Sequence, residues 1–281
     1  MSALTLWPAP AKLNLFLHVL GRREDGYHRL QTVFQFLDYG DELTFDVRRD
    51  GVITRPEGSA DVPAEQDLVV RAARALQAAT GTTIGVDIRV LKRTPMGAGL
   101  GGGSSDAATT LVALNQLWRT GLDAQALAEM GLKLGADVPV FVHGMASWAE
   151  GVGELLVPVT LPEPWYAVLA PDVFVSTAAI FSAAELKRDH APITLEDYER
   201  GEGVNDCAPV TCARYPEVAT AMGWLSRAAP ARMSGTGSAV FAAFADERAA
   251  RAAIEGIPKN WRGFVARGLN LSPLASIIRA L

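Results

Sequence analysis

The sequence predicts an α+β fold in two domains. Residues 1–157 form a mixed α/β unit and residues 158–281 a ferredoxin-like β-α-β-β-α-β unit. Three observations predict it. A glycine-dense stretch in the first half runs straight into a helical repeat. Pro158, Pro162 and Pro164 cluster where a boundary belongs. Beyond them the hydrophobic periods follow in the order strand, helix, strand, strand, helix, strand.

The 281 residues are 49% hydrophobic and 20% charged, a globular balance. A net charge of −5 argues against a nucleic acid or an anionic membrane held by electrostatics. Small molecules are the expected partners, and the chain is expected to be a monomer or weak homodimer. Cys207 and Cys212 lack a second Cys or His pair for zinc, and two thiols in this length suit a reducing cytosol. The first residues lack a basic region followed by an apolar run. The best candidate for a membrane span is broken at Pro171-Asp172. A cytoplasmic protein is the expectation.

Ala11–Leu20 alternates as a strand, with Leu13, Leu15, Leu17 and Val19 on one face and Lys12, Asn14, Phe16 and His18 on the other. Lys12 and Asn14 are neighbours, either on a solvent face or beside a phosphate or substrate hydroxyl. Gly21–His28 is a polar loop. Leu30–Leu37 and Leu43–Val47 read as paired strands around Asp38-Tyr-Gly-Asp41. Tyr27 and His28 join a flat ring to a directional hydrogen bond, which suits a nucleobase, although a loop histidine is commonly just solvated. Asp67 caps a helix that runs to about Thr80 and ends at Gly81. Val86–Leu91 is a strand. Lys92 and Arg93 follow it, as surface charge or as phosphate contacts.

Then comes Pro95-Met96-Gly97-Ala98-Gly99-Leu100-Gly101-Gly102-Gly103-Ser104-Ser105. Glycines let a ligand approach the backbone. Ser104, Ser105 and Asp106 are the residue types that cap a helix, here one carrying Ala107, Leu111, Leu114 and Trp118 and stopping at Gly121. A helix N-terminus behind such a loop is an anion site, and a nucleotide phosphate is the expected anion. No lysine follows Gly103, which excludes the P-loop. Gly97, Gly99 and Gly102 fit the dinucleotide fingerprint, with Asp123 as the acid. However, Lys92–Met96 separates the strand from the first glycine, and a second helix replaces the expected strand. A purely structural turn is the bland alternative.

Asp123 caps a further helix (Leu127, Met130, Leu134) ended by Gly135. Asp137 stands between that glycine and Pro139. It is either an N-cap ahead of a proline or a carboxylate on a rigid corner near the loop. In the second half the strands are Trp165–Ala170, Ala231–Met233, Ala239–Phe244 and Gly263–Gly268, and the helices Glu217–Ala228 and Glu247–Gly256. Thr177 is expected to cap a short helix with Phe181 one turn on, a ring either in the core or free to stack. Gly235, Thr236 and Gly237 lie in a turn that alone reads as an ordinary hairpin. Asn205 and Asp206 carry no interpretable signal.

Pro95, Gly99-Leu100-Gly101, Ser104-Ser105 and Ala107-Ala108 resemble the phosphate loop of the GHMP kinases. The chain departs from the usual pattern by adding Gly102-Gly103 and by placing Asp106 before the alanines. That insertion, with the stretch Gly21–Asp41, resembles one branch of the family, whose acceptor is 4-diphosphocytidyl-2-C-methyl-D-erythritol. Pro10–Leu15 resembles the first family motif, Leu134–Pro139 the segment with the catalytic aspartate, and Ser234–Ser238 with its flanking strands the third motif. The likeness spans nearly the full chain.

The resemblance implies a two-domain GHMP-kinase fold whose first domain binds ATP at Pro95–Ser105. Direct transfer of the γ-phosphoryl group to an alcohol then demands positioning and charge stabilisation. Asp137 is implied to accept the hydroxyl proton and Lys12 to steady the developing charge. Mg2+ is implied as the cofactor that would accompany the phosphates, with Ser105 its candidate neighbour. Asn14, Tyr27, His28, Thr177 and Phe181 are implied to bind the acceptor, with Phe181 stacked on cytosine. The turn at Gly235, Thr236 and Gly237 is implied to pack on the phosphate loop and shape the acceptor pocket. The alternatives are a GHMP kinase for a small alcohol such as mevalonate or homoserine, and a non-catalytic nucleotide sensor on the same scaffold.

Overall fold

The computed structural model describes residues 5–57 and 63–275. The first half runs β1 (Trp7–Arg22), β2 (His28–Arg48), β3 (Ile53–Glu57), α1 (Leu68–Thr80), β4 (Gly85–Leu91), α2 (Gly102–Leu117), α3 (Ala124–Leu132), α4 (Val138–His143), β5 (Ser147–Gly151) and β6 (Leu155–Pro158). The second runs β7 (Trp165–Ala170), α5 (Thr177–Phe181), α6 (Leu195–Glu199), α7 (Ala208–Arg214), α8 (Pro216–Leu225), β8 (Ala231–Met233), β9 (Val240–Phe244), α9 (Glu247–Ala253) and β10 (Arg262–Leu269).

The second half has strand order β10-β7-β9-β8, antiparallel throughout, which is the expected split β-α-β-β-α-β arrangement. In the first half β1, β4 and β5 all pair with β2. The two halves join where β10 meets β2, at Gly268↔Leu37 and Leu269↔Phe36. Leu13, Phe16, Val33 and Leu37 of the first half and Tyr166, Val168 and Phe241 of the second pack into one buried cluster at this junction.

Four expectations need correction. First, Leu30–Leu37 and Leu43–Val47 are not two strands around a turn; they belong to the single strand β2 of 21 residues. Asp38-Tyr-Gly-Asp41 looks like a turn but serves tertiary contacts. A Cβ on Gly40 would lie 2.2 Å from the Ala9 carbonyl oxygen of β1, so glycine is required by close approach. Asp41 accepts hydrogen bonds from the amides of Arg93 and Thr94.

Second, neither face of β1 is a solvent face: Lys12 and Asn14 are buried, and so are Phe16 and His18. Register shifts along β1 break the strict alternation that the sequence pattern assumes. Third, α2 begins at Gly102 behind Gly101, which is left-handed at φ 74°, so Ser104, Ser105 and Asp106 lie inside the helix and do not cap it. Fourth, the cap of α5 is Ser176, whose hydroxyl accepts from the Ala179 amide, one residue ahead of the expected Thr177. The caps at Asp67 and Asp123 are as expected.

Candidate active site

The glycine stretch forms a backbone cradle at the head of α2. The amides of its first residues, Gly102, Gly103 and Ser104, have no partner inside the helix; the ladder starts with the Ser105 amide donating to Gly101. Gly99 is held at φ 73°, and a Cβ there would stand 2.2 Å from the Ser234 carbonyl oxygen. That approach is made by the turn Ser234–Ser238. The Ser234 hydroxyl donates to the Gly99 carbonyl at 2.8 Å and accepts from the Asn14 amide at 3.1 Å. The turn therefore packs on the loop, as the resemblance implied.

A cleft of about 390 Å³ is lined by every residue from Pro95 to Ser104, with Lys92, Asp106, Asp137 and Thr177. Ser105 does not line it. Its side chain is fully buried, with the hydroxyl oxygen unpartnered, because the early start of α2 turns it inward. The serine that borders the cleft is Ser104. A second cavity of about 120 Å³ is lined by Lys12, Asn14, Thr32, Phe181, Gly235 and Thr236, among others. The two cavities share Gly99, Asp137 and Thr177.

Lys12 and Asp137 meet at that junction, with Nζ 3.3 Å from the carboxylate Oδ2. Lys12 also donates to the Gly99 carbonyl at 3.1 Å and to the Asn14 side-chain oxygen. Asn14 in turn donates to the Thr32 hydroxyl at 3.1 Å. The ammonium is thus buried but fully partnered, as burial of a charge demands. Asp137 is the residue ahead of α4, yet its side chain makes no cap bond. The position is that of a cap, and the carboxylate faces the lysine.

Phe181, which lines the second cavity, stacks on His28 with ring centroids 5.1 Å apart and planes 25° apart. Burial first, then the cations Arg188 and Arg22, hold the His28 imidazole below its ordinary pKa. Thr177 and Thr236 touch through their hydroxyls at 3.1 Å, which ties α5 to the glycine turn beside Gly237. Tyr27 stays at the loop tip, 63% exposed, and stacks on no ring among the described residues. The structure therefore brings together all the expected site residues except Tyr27 and Ser105.

Sequence reasoning missed a buried ionic knot under the cradle. Lys92 bridges Asp41 and Asp106, the latter at 2.8 Å. Burial pushes the Asp106 carboxyl up to about 7, and one of its oxygens is unpartnered. Asp106 had only a capping signature, and nothing in the chain pattern links Asp41 to it. Asn205 also gains a role: its amide donates to the Met233 and Gly235 carbonyls at 2.8 Å each and so holds the glycine turn. Asp206 accepts from the Val19 amide and pairs with His190 at 2.9 Å. Cys207 and Cys212 are free thiols, and burial pushes that of Cys207 up to about 12. Among the described residues no group of three His, Cys, Asp or Glu side chains is placed to hold a metal, and no helix is long and apolar enough to cross a membrane.

The family descriptions GHMP kinases N terminal domain and GHMP kinases C terminal match residues 67–145 and 183–263. The chain belongs to the GHMP kinase family. Relatives named 4-diphosphocytidyl-2-C-methyl-D-erythritol kinase include one from Nitrosococcus oceani, 58% identical over 96% of each chain. Another, from Halorhodospira halophila, is 57% identical over 98% of this chain and 96% of its own. A crystal structure of 4-(cytidine 5'-diphospho)-2C-methyl-D-erythritol kinase superposes with a TM-score of 0.81 at 35% identity, covering 94% of this chain and 99% of that one. The mevalonate kinase of Methanococcus jannaschii, at TM-score 0.68 and 14% identity, covers 96% of this chain and 99% of its own and shares the GHMP kinase fold alone.

Proposed function

We propose that the chain is an ATP-dependent kinase that phosphorylates the 2-hydroxyl of 4-diphosphocytidyl-2-C-methyl-D-erythritol, in the non-mevalonate route of isoprenoid precursor synthesis. One observation carries the reading: the Lys12–Asp137 pair stands where two cavities meet. The larger cavity is walled by backbone amides at a helix N-terminus, and the smaller by aromatic and hydroxyl side chains. A triphosphate suits the first, and the reacting alcohol end of an acceptor the second.

In this reading the amides of Gly102, Gly103 and Ser104 hold the β- and γ-phosphates. Mg2+ bound with ATP would supply neutralisation of phosphate charge, and Ser104, which lines the cleft, would be the hydroxyl to assist in holding it. The acceptor oxygen attacks the γ-phosphorus while the bond to the β,γ-bridging oxygen breaks. Asp137 takes the hydroxyl proton, and ADP leaves. Lys12 steadies the negative charge on the transferring group. Asn14, Thr177 and Thr236 position the sugar-alcohol chain, while Phe181 and His28 hold the base, with Tyr27 closing over it from the loop tip. The division at residues 157 and 158 then separates an ATP-binding unit from a substrate-shaping one. The two family descriptions, lying on either side of it, support that division. A monomer or weak homodimer is the unit of action in this reading, and two free thiols support a cytoplasmic setting.

An ADP-release assay across three alcohols tests the reading. Turnover with 4-diphosphocytidyl-2-C-methyl-D-erythritol and none with mevalonate or homoserine is the expected outcome. Comparable release with either small alcohol overturns the acceptor assignment.

A further inference from the structure

Arg188 lies outside every expected site residue, yet its guanidinium organises the acceptor end. Nη1 donates to the Leu186 carbonyl at 3.0 Å, and Nη2 to the carbonyls of Phe181 at 2.9 Å and Ala183 at 2.5 Å. The remaining edge, Nε, donates to Nε2 of His28 at 3.1 Å. One side chain therefore ties the helix that carries Phe181 to the ring on which Phe181 stacks.

The chemistry of that last bond has a consequence. A guanidinium has five N–H groups and no lone pair to offer. Nε2 of His28 must then present a lone pair, so the ring's one proton sits on Nδ1. The cation also disfavours a second proton, and burial acts in the same direction on this imidazole. A loop histidine that could offer either a donor or an acceptor is reduced to one form. Resting on the function proposed above, we infer that Arg188 is a positioning residue that locks His28 as the neutral Nδ1–H tautomer, so that the acceptor end offers a hydrogen-bond donor and selects a base whose ring nitrogen is an acceptor. Cytosine has such a nitrogen at N3; uracil carries a proton there. A donor meeting that proton loses its bond and leaves two donors facing each other, which is how polar sites reject near-isosteric ligands.

Nitrogen-15 spectra of the histidine rings, with and without cytidine monophosphate, test the first half. The wild type should show His28 protonated at Nδ1 alone. Arg188→Met should shift the ring toward a tautomer mixture, and Arg188→Lys, which keeps a charged donor, should restore part of the wild-type signal. A wild-type ring protonated at Nε2 overturns the inference without any variant being needed. Competing cytidylyl and uridylyl acceptors test the second half. Arg188→Met should narrow the preference for the cytidylyl compound by roughly tenfold or more, through acceptor KM with kcat little moved. An equal loss for both acceptors reduces Arg188 to a purely structural role and overturns the selection. Should the wild-type enzyme ignore the cytidylyl acceptor while His28 is still protonated at Nδ1, the proposed function fails and base selection falls with it. The tautomer assignment survives that result, so the two failures are distinguishable.

Discussion

The two ends of the site are built on opposite principles. At the phosphate end the recognising groups are backbone amides of consecutive residues, Gly102 to Ser104, and one short segment supplies them all. At the acceptor end they are side chains drawn from β1, β2, α5 and the turn between β8 and β9, segments up to 200 residues or more apart, as the Asn14–Ser234 contact with its separation of 220 shows. A backbone site reads charge and shape and tolerates changes of side chain. A side-chain site reads the ligand's own donors and acceptors and is undone one residue at a time. The Lys12–Asp137 pair lies between them and belongs to neither.

Variants can separate these three parts. The largest effect is expected at the pair. Asp137→Asn should lower kcat by about 10²–10⁴, roughly 3–5 kcal/mol, with ATP affinity little changed; near-wild-type turnover would remove Asp137 from the chemistry. Lys12→Met should cost about 10²–10³ in kcat, the range for a lost electrostatic stabiliser. Normal rates in that variant would leave charge stabilisation to the amides and Mg2+.

Gly99→Ala attacks the phosphate end through its backbone. The left-handed φ alone costs roughly 1–2 kcal/mol, and the Cβ meets the Ser234 oxygen besides. Melting temperature and ATP KM should both worsen; a variant as stable as the parent would show that the loop and the turn can separate.

Phe181→Ala acts on the acceptor end only. Loss of one base-stacking ring is worth about 1–3 kcal/mol, read as a rise in acceptor KM at constant ATP KM. A shift in ATP KM alone would mean that the ends are not independent.

The smallest expected effect lies behind the site. His18 stacks on His190 at 3.6 Å, and burial chiefly holds its pKa at about 4, with His190 and Lys187 adding to the depression and Asp206 opposing it. Its folded pKa is below the unfolded value of about 6.5, so the stability it contributes is present above that pH and fades as pH falls through 4. The urea midpoint should fall more between pH 7 and 4.5 in the wild type than in His18→Gln. Parallel curves would remove His18 as a source of acid sensitivity.

The same contrast governs what the sequence made legible. The phosphate end is local, so its glycine density, its spacing to a helical repeat and its motif likeness all lie within one short window. The ferredoxin-like half was also readable, because its two central strands, Trp165–Ala170 and Val240–Phe244, are clean apolar runs. What was misread is tertiary in origin. Gly40 and Asp41 look like turn residues, but one makes room for β1 and the other anchors the chain entering the cradle. The charges at Lys12, Lys92 and Asp106 could not be placed from the pattern, because their partners come from elsewhere in the chain. At the acceptor end residue chemistry left His28 and Phe181 open between function and a bland role, resemblance favoured function, and nothing in the pattern pointed to Arg188, whose partners are carbonyls and a ring nitrogen.

The strand β2 belongs to both halves, since its middle residues Phe36 and Leu37 bind β10 while β1 pairs along most of its length and β5 and β4 pair with its earlier and later parts. It works like an axle passing through two wheels. Parting the halves as a clamshell opens would have to break the β2–β10 pairing and split the buried cluster they share. The reach from cradle to acceptor end is therefore carried by one continuous sheet.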